Sequence, residues 1–86
     1  MTRVRLPTHL RSYTAGEAEV LVAGTTLREV LDHLEARYPG LRVRMIDEQD
    51  RVRPHVKLYL GVDQVRDLDT RIEDREVHIL AALSGG

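Results

Sequence analysis

The residues best placed to do chemistry are the last ones, Leu83-Ser84-Gly85-Gly86, which follow an apolar run from Val77 to Leu83. Glycine carries no Cβ, so Gly85 and Gly86 can enter a channel too narrow for any other side chain. Gly86 would then offer a bare carboxylate on a short tether. A plain alternative is that the pair is a frayed end. Two glycines at a given place arise by chance in about 0.5% of chains of average composition. The weight of the pair therefore depends on whether the preceding residues form a scaffold that holds it out.

Other chemistries are poorly supplied. The chain contains no cysteine, which removes disulfide frameworks, thiolate zinc sites, cysteine-ligated clusters and thiol nucleophiles. His9, His33, His55 and His78 are scattered with no i, i+4 pair, so no metal site is expected. Asp47, Glu48 and Asp50 lack the glycine and distal glutamate of a calcium loop and read as a solvated acidic turn. Asp67, Asp69, Glu73 and Asp74 read the same way. Ser12 and Ser84 have no local base, and no Gly-rich phosphate loop is present. Thirteen Lys and Arg against fourteen Asp and Glu give a formal net charge of -1, so no nucleic-acid partner is expected. No apolar stretch is long enough to span a membrane and no signal peptide is evident, which predicts a cytoplasmic protein with no membrane partner.

The elements that must position the tail follow from periodicity. The length of 86 residues suits one small domain over residues 1–86, with a tail from about Ala82. Arg3 to Leu6 alternates as a half-buried strand stopped by Pro7, and Pro7 to Gly16 reads as a long connection. Glu17 to Val22 resumes alternation, and the two strands would pair antiparallel. Thr26 with Glu29 makes a capping box. Leu27, Val30, Leu31, Leu34 and Tyr38 form one apolar helical stripe, ended by Pro39-Gly40.

Leu41, Val43, Met45 and Ile46 predict a helical turn or an irregular piece against the core. His55 to Leu60 is a strand, Gly61-Val62-Asp63 a turn, Gln64 to Arg66 a short return strand, and Leu68 and Ile72 anchor a polar loop. Glu76 to Leu80 is the last strand. One helix stripe covering one sheet face makes an α+β two-layer fold. Its sheet-side core would be Val4, Leu6, Val20, Val22, Val56, Leu58, Leu60, Val77 and Ile79.

This order, with the Thr26 to Leu31 helix start, the Val56 to Leu60 strand and its turn, and Glu76 to Gly86, resembles the β-grasp, ubiquitin-like sulfur carriers of the ThiS/MoaD family. The Pro7 to Gly16 stretch is most similar to the CysO-type branch. The chain departs at Glu73-Asp74-Arg75-Glu76, where the family often has an Asp-Gly turn, and at Ser84 within the tail.

The resemblance implies a carrier or co-substrate rather than an enzyme. An ATP-dependent activating enzyme would adenylate Gly86, and a sulfur donor or sulfurtransferase would displace AMP to leave a thiocarboxylate. An acceptor would then take the sulfur. The acceptor would be a pyridoxal-phosphate-dependent cysteine synthase (slightly preferred) or the large subunit of molybdopterin synthase. The carrier itself would bind no cofactor, since ATP belongs to the activating partner. A ubiquitin-like modifier joined to lysines through Gly86 is the alternative. So is a plain β-grasp interaction module whose Gly-Gly end is incidental.

Alternation also predicts a docking face. If Val77 and Ile79 face the helix, His78, Leu80 and Ala82 face outward, together with His55, Lys57 and Tyr59 and with Leu21, Arg3 and Arg5. Tyr59, Leu80 and Ala82 would form an apolar patch ringed by cations, marking a partner site continuous with Leu83 and Ser84. At about 3.3–3.6 Å per extended residue, Ala82 to Gly86 would reach roughly 16–18 Å, enough to place Gly86 inside a partner. Gly85 and Gly86 are expected to move freely in the unbound protein.

Overall fold

A single α-helix, α1 (Leu27–Arg37), closes the core of the computed structural model, which describes residues 1–81. Ala82 to Gly86, and with them the predicted tail and its mobility, lie outside the described residues. Thr26 caps the helix from extended backbone, its hydroxyl accepting the Glu29 N–H at 3.2 Å. The Glu29 carboxylate reaches one residue further back than a capping box predicts. It accepts from the Thr25 N–H at 2.8 Å and the Thr25 hydroxyl at 2.9 Å. Leu27, Val30, Leu31 and Leu34 are fully buried, and Tyr38 packs partly buried at the helix end.

The facing layer is a five-stranded sheet of β1 (Thr2–Arg5), β2 (Glu19–Val22), β3 (Val56–Leu60), β4 (Asp63–Val65) and β5 (Val77–Ala81), in the order β2-β1-β5-β3-β4. β1 and β5 run parallel, and every other pair is antiparallel. This is the mixed sheet on one main helix that the β-grasp resemblance implied. All nine predicted sheet-side residues are buried. Strand ends differ by one or two residues from the sequence reading, because hydrogen-bond pairing rather than alternation sets them. Leu6, for example, is buried beyond the end of β1, with its N–H bonded to the Ala18 carbonyl at 2.9 Å.

One stretch departs more. Pro7 to Gly16, expected as a connection, contains a 3-10 helix over Thr8–Thr14 that buries Leu10 and Thr14. The Thr14 hydroxyl donates to the Glu17 carbonyl at 2.8 Å, a local bond that lets a buried polar side chain sit in the core margin. The doubtful stretch after the helix forms a short 3-10 turn, Arg42–Arg44, flanked by the buried Leu41, Met45 and Ile46. Leu68 and Ile72 are buried anchors as expected.

The turn before β5 reaches its geometry without glycine. Glu73 and Asp74 both sit at positive φ, 52° and 62°, a region that costs a non-glycine residue energy. Arg75 holds the turn closed. Its N–H bonds the Ile72 carbonyl at 3.1 Å, and its guanidinium donates to the carbonyls of Ile72 and Arg71 at 3.0 and 2.7 Å. Among the described residues no helix is long and apolar enough to cross a membrane.

Carboxylates tie the loops to the helix. Asp50 receives Arg28 at 3.0 Å and Arg42 at 3.1 Å, and Arg42 also reaches Asp32 at 3.1 Å. Hydrogen bonds from Arg42 and then Arg28 hold the Asp50 carboxyl below its ordinary range. Glu35 accepts the backbone N–H of Gly40 at 2.8 Å and of Arg42 at 2.9 Å, fixing the chain reversal after α1. These two bonds, Gly40 first, lower the Glu35 carboxyl from 4.5.

A folded-state value below the unfolded one means that the native state binds fewer protons. The stabilisation is therefore present above 4.5 and lost as pH falls through the lowered value. Glu35→Gln should lower the urea midpoint at neutral pH and flatten its decline on acidification. An unchanged pH profile in urea titrations of the two proteins would show that Glu35 does not hold this reversal.

Candidate functional site

α1 covers one face of the sheet, and alternation along the strands decides what the other face displays. β5 leads directly into the tail, and its residues face alternately inward and outward. Val77 and Ile79 are buried, whereas Leu80 is 51% exposed and His78 partly exposed. The strand is held on both sides. β3 pairs with it from Leu60↔Val77 to Val56↔Ala81, and β1 pairs at Val4↔Val77 and Arg5↔His78. Ala82 to Gly86 thus follow in sequence from an interior strand, not from an edge.

Register brings one outward row together across all five strands: Glu19, Arg5, His78, Tyr59 and Gln64. Lys57 stands opposite Leu80 in the neighbouring row, and Arg3 opposite Leu21 on the other side. Directly opposed side chains touch, and diagonal neighbours lie about 7–8 Å apart. Tyr59 and Leu80 are such a diagonal pair. The structure therefore groups Tyr59, Lys57, His78 and Leu80, with Arg5, Arg3 and Leu21 on the strands beyond, whereas His55 lies exposed in the turn before β3. Ala82, Leu83, Ser84, Gly85 and Gly86 lie outside the described residues.

Cations surround the Tyr59 and Leu80 pair, with Arg5 on β1 and Lys57 on β3. Leu21, 47% exposed, lies two strands away from Leu80, with Arg5 and Arg3 on the strand between. Leu21 is thus separate from the Tyr59 and Leu80 pair. Arg3 pairs with Glu19 at 3.4 Å, and the Glu76 carboxylate lies 3.5 Å from His78 Nε2. Oε1 of Glu76 is shut from solvent and makes no hydrogen bond among the described residues.

The β2 edge is managed by the helix. Arg37 donates to the Leu21 carbonyl at 3.0 Å, and the His33 ring contacts the Ala23 carbonyl, which blunts strand addition there. Among the described residues no group of three or more His, Cys, Asp or Glu side chains is gathered to hold a metal ion.

Sequence reasoning missed a second feature of this region. The 3-10 helix brings His9 and Arg11 beside Arg5, His78, Leu80 and Ala81, forming a groove of 520 Å³ at the root of the tail. Alternation could not find it, because Pro7 to Gly16 carries no period of two. The signal available was Leu10, a lone apolar residue three positions after Pro7, which the Leu10 N–H bond to the Pro7 carbonyl at 3.0 Å folds back onto the core.

Comparison with known proteins agrees with this architecture. The model of the ThiS family matches residues 4–86. The sulfur carrier protein CysO of Mycobacterium tuberculosis is 38% identical over 96% of each chain, and its crystal structure superimposes with a TM-score of 0.88, covering 96% of this chain and all of that one. A chain from the crystal structure of the BexX/CysO complex of Amycolatopsis orientalis, 31% identical over the full length of both, gives a TM-score of 0.91. The small archaeal modifier protein 1 of Methanosarcina acetivorans is 26% identical with a TM-score of 0.80, over 99% of this chain and 95% of that one.

The two sides of β5 should respond differently to substitution. Ile79→Ala removes a buried side chain and should cost about 2–5 kcal/mol of stability. Leu80→Ser, on the open face, should stay within about 1 kcal/mol. Chemical denaturation of both variants checks the assignment, and equal losses would contradict it.

Proposed function

The chain belongs to the ThiS family, and from that premise we propose that it is a sulfur carrier working through the carboxylate of Gly86. The observation that carries the reading is whole-chain similarity, 38% identity over 96% of its length, to a protein named as a sulfur carrier. The interior placement of β5 supports it. A strand paired on both sides keeps the scaffold intact when the residues beyond it are drawn into a partner.

The chemistry follows from what a carboxylate lacks. Its negative charge repels nucleophiles, and its oxygen is a poor leaving group. An activating partner binds ATP. A Gly86 carboxylate oxygen attacks the α-phosphorus, pyrophosphate departs, and an acyl-adenylate remains. Sulfide (HS⁻) from a donor then attacks the carbonyl carbon, the bond to the phosphate oxygen breaks, AMP leaves, and loss of the remaining proton from sulfur gives the thiocarboxylate. This chain contributes the carboxylate, two residues thin enough to thread the active-site channel, and a docking face formed by Tyr59, Lys57, His78 and Leu80. Leu83 and Ser84 with Ala82 extend that face along the tail.

The CysO relatives favour a cysteine-forming acceptor dependent on pyridoxal phosphate over a molybdopterin synthase subunit. Complex formation also fits a carrier, since a structural relative carries the name of a BexX/CysO complex. The similarity to a small archaeal modifier protein supports a second reading, in which Gly86 is joined to lysine amines.

Intact-mass measurement separates the two. Incubation with ATP, the activating enzyme and sulfide should replace one oxygen by sulfur, localised by fragmentation to Gly86. Deleting Gly86 should abolish this change and leave the unfolding midpoint unaltered. An unchanged mass with a demonstrably active partner would overturn the sulfur-carrier reading, and lysine-linked conjugates would favour the modifier.

A further inference from the structure

The groove at the root of the tail is segregated in charge. Acidic residues slightly outnumber basic ones in the whole chain. Yet this groove is lined by Arg5, Arg11, His9 and His78 and by no carboxylate. Five arginines elsewhere have a carboxylate partner, Arg3 with Glu19, Arg28 and Arg42 with Asp50, Arg51 with Asp47 and Arg75 with Asp63. Arg37, Arg44, Arg53, Arg66 and Arg71 stand singly on the surface, whereas Arg5 and Arg11 line one concavity together.

Arg5 and Arg11 form no ion pair among the described residues. Arg11 is nevertheless held in place, its Nε donating to the Leu6 carbonyl at 3.1 Å. That bond leaves the two terminal nitrogens of a planar fork whose geometry suits a carboxylate. Arg5 projects from β1 on one side of β5, and Lys57 from β3 on the other. Cations thus flank the strand that delivers the tail.

We propose that this groove receives an acidic segment of the partner protein that takes up the tail. Its Asp or Glu side chains would pair with Arg5 and Arg11 while the open sheet face docks alongside. The proposal rests on the sulfur-carrier reading for the identity of the partner, and on charge complementarity for the chemistry of the segment. His78 and Leu80 belong both to the groove and to the docking face, so a single partner surface reaches both. Opposite charges at the rim of an interface act mainly on encounter rate and register. They would orient the carrier so that its tail points into the channel before the apolar contacts close.

Two measurements test it. In the first, the full chain labelled with 15N is titrated with a glutamate-only hexapeptide, and in parallel with inorganic phosphate at matched ionic strength. The peptide should give saturable, salt-sensitive shifts centred on Arg5, His9, Arg11 and His78. Arg5→Glu should remove them and Arg66→Glu should not. Shifts spread evenly over surface arginines, no saturation, or phosphate matching the peptide at the same residues would overturn the proposal.

In the second, KM for the carrier is measured in ATP-dependent activation. Arg5→Glu should raise it about fivefold at unchanged kcat. Arg5→Gln, which adds no repulsion toward Glu19, should shift it less in the same direction, and Arg66→Glu should leave it unchanged. Equal KM values for wild type and Arg5→Glu would overturn the proposal. If wild type is never activated, the carrier reading fails while the peptide titration still decides the groove.

Discussion

The structure depends on a shortage of cover. Five strands present two faces, and one helix stripe of Leu27, Val30, Leu31 and Leu34 can bury only one of them. Burial of apolar surface is the main favourable term in folding, so the inner face collects nearly every aliphatic side chain of the strands. The outer face must then be made of residues that tolerate water. Arg3, Arg5, Lys57, Tyr59 and His78 meet that demand, and Leu21 and Leu80 are the exceptions. A small domain of this design cannot help having an open sheet face, which is where specificity for a partner can be written at little cost to the fold.

The second consequence concerns the strand order. β5 is the last strand in sequence but the middle one in space, clasped between a parallel and an antiparallel neighbour. Detaching it would break both ladders: β1 holds its first residues, Val77 and His78, and β3 holds it throughout, to Ala81. A reactive group carried at the end of such a strand can be passed between partners without unravelling the scaffold. The strained Glu73-Asp74 turn and the Arg75 clamp fix where that strand begins, and the groove beside His78 and Leu80 marks where it ends.

Much of this was readable from the chain alone, for identifiable reasons. α1 was legible because its cap, its stripe and its Pro-Gly stop all agree, and such agreement across levels is what makes a sequence specify a structure. The inward set of β1, β2, β3 and β5 followed from alternation. Thr8–Thr14 was not legible, since a 3-10 helix whose buried anchors are one apolar residue, Leu10, and one polar residue, Thr14, leaves no periodic trace. Nor was the two-strand separation of Leu21 from Leu80. Alternation tells which face a residue occupies, but only strand order tells which residues are neighbours on it. The cationic groove escaped for both reasons together, because it joins the illegible 3-10 helix to a strand distant in sequence.

The central claim is that partners engage the open sheet face. Leu80 and Val43 form a matched pair of reporters, 51% and 54% exposed. Leu80 lies on the open face, and Val43 beside Glu35 of α1 on the covered side. Methyl cross-saturation NMR of the labelled chain, bound to its unlabelled activating partner, compares them in one experiment. The account predicts strong loss of signal at Leu80 and none at Val43; saturation centred on Val43 would contradict it.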